Sequence, residues 1–323
     1  MNSQAFSRYL TPIYVLVAGT IGGGLVIGLF TWNYPEPGDS LGQAFIHQGS
    51  FWVWIFLLVI YSSMVMVFIL PSWGLLVWLF RKHILNHQKK HVFMSEAIRL
   101  IAIGIFITTI LILLLQFINS AKIWVDDYLP RGHSPRITFL IGCSFLATLP
   151  EALSMVLIYS SVQEISLKIK APAQNENQSF FLLNELQSYR ETLQSILMMV
   201  GAILSMIPII TAGLRANLIA AHPQIEPTFP VSYVIIYGTV FTLLLLLVYI
   251  PTHLTLSQAS RELRDSLCPL NSLSTLKDTV EKRKSLDELL QTNIGLTQNL
   301  KSGVVTLAPL VSSLVVSLLG ITI

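Results

Sequence analysis

Apolar runs of bilayer length recur along this chain, and they constrain its fold more than any other feature. They fall at about 13–30, 51–80, 98–123, 137–159, 192–214, 231–250 and 303–323. At 1.5 Å per helical residue, runs of this kind match the roughly 30 Å thickness of bilayer hydrocarbon. Backbone groups in lipid must be satisfied within the segment, so such runs are helices. The mean hydropathy of +0.66 and a charged fraction of 11% exclude an ordinary soluble domain, where about 25% is charged. The expected fold is therefore all-α: a polytopic integral membrane helical bundle of about seven transmembrane helices with a cytoplasmic N-terminus. Residues 1–250 form the transmembrane bundle, 251–302 a cytoplasmic amphipathic helical segment, and 303–323 a C-terminal transmembrane or re-entrant helix. The first run follows a single basic residue, Arg8, and lacks a small-x-small exit, so it reads as an uncleaved span rather than a signal peptide.

Charge placement tests that span count. With the N-terminus inside and seven crossings, the inner segments hold sixteen of the 20 Lys and Arg residues. Only Lys122, Arg131, Arg136 and Arg215 fall outside. A bias of this size is what the positive-inside rule requires, and one missed or invented span would swap the later segments and erase it. The last run is the weakest element. If it is re-entrant, six spans remain and the C-terminus stays inside.

One carboxylate lies within a run. In 137–159, Glu151 follows Pro150 just past the midpoint. Helical steps place Ser144, Ala147, Thr148, Glu151, Ser154 and Ile158 on one face. An ionised carboxylate at that depth costs at least about 2.5 kcal/mol even on insertion scales. It must be protonated, paired with a cation, or in reach of water. Gln116 and Asn119 on the third run are its expected hydrogen-bond partners, and Arg99 its expected cation. The polar-core set read from sequence is thus Glu151, Thr148, Ser144, Ser154, Gln116 and Asn119.

Other motifs carry less. Gly19/Gly23 and Gly24/Gly28 have the G-x-x-x-G spacing that brings helix backbones together. Pro71 and Pro208 are expected to kink their helices. The basic loop 81–91 contains His83, His87 and His91 at one-turn intervals. An anionic-lipid contact suits it better than a metal site or a pH sensor, because Glu96 is the only acid near it. The outer loop groups Asp126, Asp127, Arg131 and His133, either as local ion pairs or as a charged vestibule above a pathway. Arg215 is expected to snorkel to an interface. Asn177-Gln178-Ser179 fits a glycosylation sequon but falls on the inner side. Ser285 to Glu288 reads as a capping box opening a helix in 251–302.

No nucleotide-binding, H-E-x-x-H, C-x-x-C or G-x-S-x-G motif is present, and Cys143 and Cys268 have neither metal spacing nor an expected bridge. The sequence therefore points to a non-enzyme without cofactor. Two functions remain. One is an ion or small-solute channel or transporter with Glu151 on its path. The other is a membrane sensor, scaffold or assembly subunit that docks a cytoplasmic protein through 252–302. The partners expected are the lipid bilayer, anionic lipids at 81–91, further copies in a homo-oligomer and that cytoplasmic protein, with no nucleic acid. A bacterial inner (plasma) membrane is the expected location.

Overall fold

The computed structural model describes residues 11–31, 39–86, 128–130, 132–170, 176–269, 276–290 and 296–318. Among these, every regular element is helical: α1 (Pro12–Thr31), α2 (Ser40–Ile46), α3 (Gly49–Asn86), α4 (His133–Ile169), α5 (Glu176–Ala221), a 3₁₀ turn (Pro223–Ile225), α6 (Ser232–Leu267), α7 (Leu276–Leu289) and α8 (Leu296–Leu318). Five of them (α1, α3, α4, α5 and α6) are long and apolar enough to cross a membrane, and 303–318 of α8 form a shorter apolar helix. Large apolar side chains such as Leu16, Phe56, Leu146, Leu247 and Leu254 point outward, as lipid-facing positions require. The chain is thus an integral membrane protein by its architecture. The expected third run, 98–123, lies outside the described residues.

Side-chain contacts fix the helix directions. Gly19 meets Ser63 and Phe30 meets Trp54, so α1 and α3 are antiparallel. Tyr61 reaches Ser144, Ser72 reaches Glu151 and His83 reaches Ser161, so α3 and α4 run parallel. Ser50 to Asn217 and Lys82 to Glu185 make α5 antiparallel to α3. Thr252 to Met155 and Ser166 to Glu262 make α6 parallel to α4, and therefore antiparallel to α5, which it meets at Arg190–Ser260. Leu310 on Thr242 and Ser313 beside Gly238 set α8 against α6 in the opposite direction. Asn86 and His133 therefore stand at opposite ends of the bundle, as a span between α3 and α4 requires.

Glycine allows the closest approaches. A Cβ on Gly22 would sit 2.5 Å from Ser62 O, and one on Gly238 would sit 2.5 Å from Pro309 O. Gly19 and Gly23 face α3 as their spacing suggests, whereas Gly24 and Gly28 face open space. The small-residue stripes on α5 and α8 fill each other: Gly201 lies against Val305, and Ser312 Oγ donates to Ser205 O at 2.9 Å.

The prolines inside α3 and α4 have defined compensation. Pro71 removes the donor for Val67 O, and Tyr14 Oη from α1 supplies one at 3.0 Å. Pro150 does the same to Leu146 O, which accepts from Trp73 Nε1 at 3.0 Å. Pro251, the first residue of the segment expected beyond the membrane, lies inside α6, which continues to Leu267. At the end where α4 and α6 finish and α5 begins, these helices share an apolar core of Ile165, Ile169, Leu182, Leu186, Leu256 and Leu263. α7 is clamped there by Arg264 Nη1 on Asp287 Oδ1 at 2.8 Å and by Arg283 on Cys268 O. Ser285 lies inside α7, its hydroxyl donating to Glu281 O, so it does not cap a helix. A capping residue needs non-helical backbone, which the sequence pattern alone does not supply.

A buried carboxylate and its polar thread

Glu151 is fully enclosed by protein, with 0% of its surface exposed. It sits one residue past Pro150 on α4, and Ser72 sits one residue past Pro71 on α3. Because the two helices run parallel, these dipeptides come level. Ser72 Oγ donates to Glu151 Oε1 at 2.8 Å. Oε2 has no hydrogen-bond partner among the described residues, and neither has the buried Ser154 Oγ one turn along the same face. No Lys or Arg side chain pairs with the carboxylate among the described residues.

Of the other sequence-predicted residues, Ser144 joins the same interface. It accepts from Tyr61 Oη at 2.6 Å and donates to Leu140 O. Thr148 turns back to its own helix and donates to Ser144 O. Gln116, Asn119, Asp126, Asp127 and Arg131 lie outside the described residues, as do His87 and His91. His133, grouped by sequence with the charged outer loop, is instead fully buried at the start of α4. Gly132 before it adopts φ +84°, a left-handed conformation that glycine tolerates, and this turn directs His133 inward. Its ring packs edge-on against Phe30, 5.3 Å between centroids, and near Phe45. With Phe51 and Trp54 these rings form an aromatic plug at the end of the bundle where α3 and α4 begin. Asn217 braces the plug, accepting from Ser50 Oγ and donating to Phe45 O. Arg215 is held by the 222–231 connection, donating to Phe229 O at 2.7 Å and pairing with Glu226.

At the opposite end lies a cluster that sequence reasoning missed. Lys82 Nζ is 3.2 Å from Glu185 Oε1 and 4.0 Å from the Tyr189 ring centroid. Tyr189 Oη donates to the same carboxylate oxygen at 3.3 Å. His83 Nδ1 is 3.0 Å from Ser161 Oγ. Lys82 and His83, expected in a basic loop, lie in the last turns of α3 and turn inward, leaving Arg81 exposed. Spacing of 7, 3 and 7 residues puts Ser144, Glu151, Ser154 and Ser161 on one stripe of α4. Polar groups therefore run from Tyr61–Ser144 through Ser72–Glu151 to the Lys82–Glu185 end. Glu185 gave no sequence signal, since it sits in a polar stretch before an apolar run. Only the pairing of α3 with α5 makes it a core residue.

Among the described residues no three His, Cys, Asp or Glu side chains converge as a metal site. The chain matches no known family model, and comparisons with characterised proteins and with solved structures likewise found no match.

Proposed function

We propose that this chain is a seven-span protein of a bacterial inner membrane, N-terminus cytoplasmic, that moves protons, with Glu151 as the group that binds them. One observation carries the reading: among the described residues, a fully buried carboxylate has a single hydroxyl donor, and its second oxygen and the serine hydroxyl beside it have no hydrogen-bond partner. Burying such a group is costly, and intramembrane acids of this kind mark ion pathways and proton relays. Consecutive described spans α3 and α4 run parallel, as they would with one further crossing between them, and this together with the inner excess of Lys and Arg supports the seven-span arrangement. The proton is favoured over Na⁺ or K⁺ on ligand count. A dehydrated alkali ion needs a ring of oxygens, whereas among the described residues only Ser72 contributes a hydrogen bond to Glu151.

The test is flux in proteoliposomes carrying the purified chain, with an internal pH dye and an imposed potassium diffusion potential. Parent protein should acidify or alkalinise the lumen with the sign of the potential, and Glu151→Gln should slow this at least tenfold. No flux in the parent defeats the transport reading. Flux that survives Glu151→Gln moves the path elsewhere.

A second reading is a membrane scaffold or sensor that docks a cytoplasmic protein through 252–302. The clamping of α7 onto the end of α6 by Arg264–Asp287 and Arg283–Asp265 favours it, because a docking surface benefits from a fixed shape. Absent flux, together with binding of a purified partner that Arg264→Ala abolishes, would establish this role instead.

A further inference from the structure

The two ends of the polar thread are closed by different chemistry. Toward the end where α3 and α4 begin, Glu151 is sealed by Tyr61 on Ser144 and then by the plug of Phe30, Phe45, Phe51 and Trp54. Those rings interlock at centroid spacings of 5.4 to 6.2 Å. Water has little to offer such a plug. Toward the charged end the closing groups are Lys82, His83, Ser161, Glu185 and Tyr189, which tie α3, α4 and α5 together at one level. Lys82 is also within 5.3 Å of the Trp78 ring centroid, so its ammonium lies between two aromatic rings and a carboxylate.

A buried ion pair stabilises a fold little compared with apolar residues of the same volume, while separating it in a dry interior is expensive. Hydration removes most of that expense. Such a contact is therefore suited to two states, joined and dry or parted and wet. The cluster lies ten residues from Glu151 on the same α4 stripe, with Ser154, Met155 and Ile158 between them on that face.

We propose that the Lys82–Glu185–Tyr189 contact, with His83 and Ser161, is the gate through which Glu151 communicates with the charged side of the membrane. In the conformation described here it is shut. Parting Lys82 from Glu185 admits water to Ser154 and then to Glu151. The inference rests on the reading of Glu151 as a proton site, but its test does not use proton flux.

The test is chemical access. The two native cysteines, Cys143 and Cys268, are replaced by serine, and Ser154→Cys is introduced as a reporter. Sealed vesicles of each orientation are then treated with a membrane-impermeant maleimide. With the pair intact, labelling from the charged side should be slow. Adding Glu185→Gln should speed it at least tenfold from that side and leave the other side unchanged. The swapped pair, Lys82→Glu with Glu185→Lys, should return the rate to within threefold of the starting value. Tyr189→Phe keeps the ring beside Lys82 and deletes only its hydroxyl. It carries the same expectation, of smaller size, if Glu185→Gln fails to fold. Unchanged labelling in a folded Glu185→Gln or Tyr189→Phe variant overturns the gate, and so does an equal rise from both sides. Absent proton flux in the parent would refute the reading of Glu151 and leave the labelling result standing.

Discussion

Gly22 offers the sharpest test of how the first helix is held. A methyl group there would sit 2.5 Å from Ser62 O, 2.7 Å from Ser62 C and 2.8 Å from Ser63 Cα. All three are backbone atoms, so no rotamer change relieves the clash. Ordinary contact begins at about 3.4 Å, so Gly22→Ala must part the two helices by about 0.9 Å. A gap of 0.5–1 Å forfeits a quarter to a half of each dispersion contact across it. The hydrogen bond from Ser63 Oγ to Gly19 O, at 2.8 Å, lies one turn away and is stretched by the same movement. Overpacking of this type costs about 1–3 kcal/mol. At about 2–4 °C per kcal/mol for chains of this order of size, the apparent melting temperature should fall by roughly 2–12 °C. Gly24 is the internal control. Nothing lies within 4 Å of a Cβ there, so Gly24→Ala gains helix propensity of up to about 1 kcal/mol and loses no contact. The assay is thermal unfolding in mild detergent, followed by tryptophan fluorescence at one scan rate. Equal melting temperatures for the two variants would refute the register of α1 on α3.

Three further outcomes follow from single contacts. Tyr14→Phe strands the carbonyl of Val67 that Pro71 leaves open, and should cost about 1–3 kcal/mol in the same melt; a variant within 0.5 kcal/mol of the parent shows that this carbonyl needs no donor from α1. His133→Phe replaces a buried imidazole, without hydrogen-bond partner among the described residues, by a ring suited to its aromatic neighbours. Its melting temperature should hold or rise, and a fall of several degrees would reveal a partner for the imidazole. Asn217→Leu removes an acceptor for Ser50 Oγ and a donor for Phe45 O, both buried. It should cost about 2–4 kcal/mol, and Ser50→Ala in the same background should recover part of that in a double-mutant cycle.

What the sequence discloses here depends on whether the signal is local. Hydropathy over some twenty residues marks a span regardless of its neighbours, so the helices of the described spans fall where the runs do. The face of α4 that carries Ser144, Glu151 and Ser154 is equally local, since 3.6-residue periodicity sets it. Glycine spacing indicated the α1 face, through Gly19 and Gly23, but not that Gly22 makes the tightest approach. Ser72 was out of reach for a different reason. Its pairing with Glu151 depends on the relative height of two helices separated by 46 residues of chain, from Asn86 to His133, and no periodicity within either helix encodes that. Glu185 and Lys82 were hidden the same way. His133 was misplaced because its charged neighbours in sequence suggested a loop, while one left-handed glycine turned it into the core.

The prolines also explain why the carboxylate sits where it does. A helix interior proline forfeits one backbone bond and loosens the turn before it. In α3 and α4 the freed carbonyls are each taken by a side chain of another helix, Tyr14 from α1 and Trp73 from α3. These bonds join α1 to α3 and α3 to α4 in series, and Ser72 to Glu151 closes a second link between the last two. Trp73 and Ser72 are adjacent, so one turn of α3 holds both the carbonyl that Pro150 frees in α4 and the carboxylate beside it. Bending of either helix at its proline therefore shifts the donor on Glu151 Oε1. The converse also holds. Glu151 accepts from Ser72 whether or not Oε2 carries a proton, so the bond itself does not change with charge. What changes is the cost of leaving Oε2 bare, which is modest for a protonated carboxyl and large for an ionised one. The ionised state thus favours any bend that brings a donor or water to Oε2, and the two prolines place the most pliable backbone of both helices beside it.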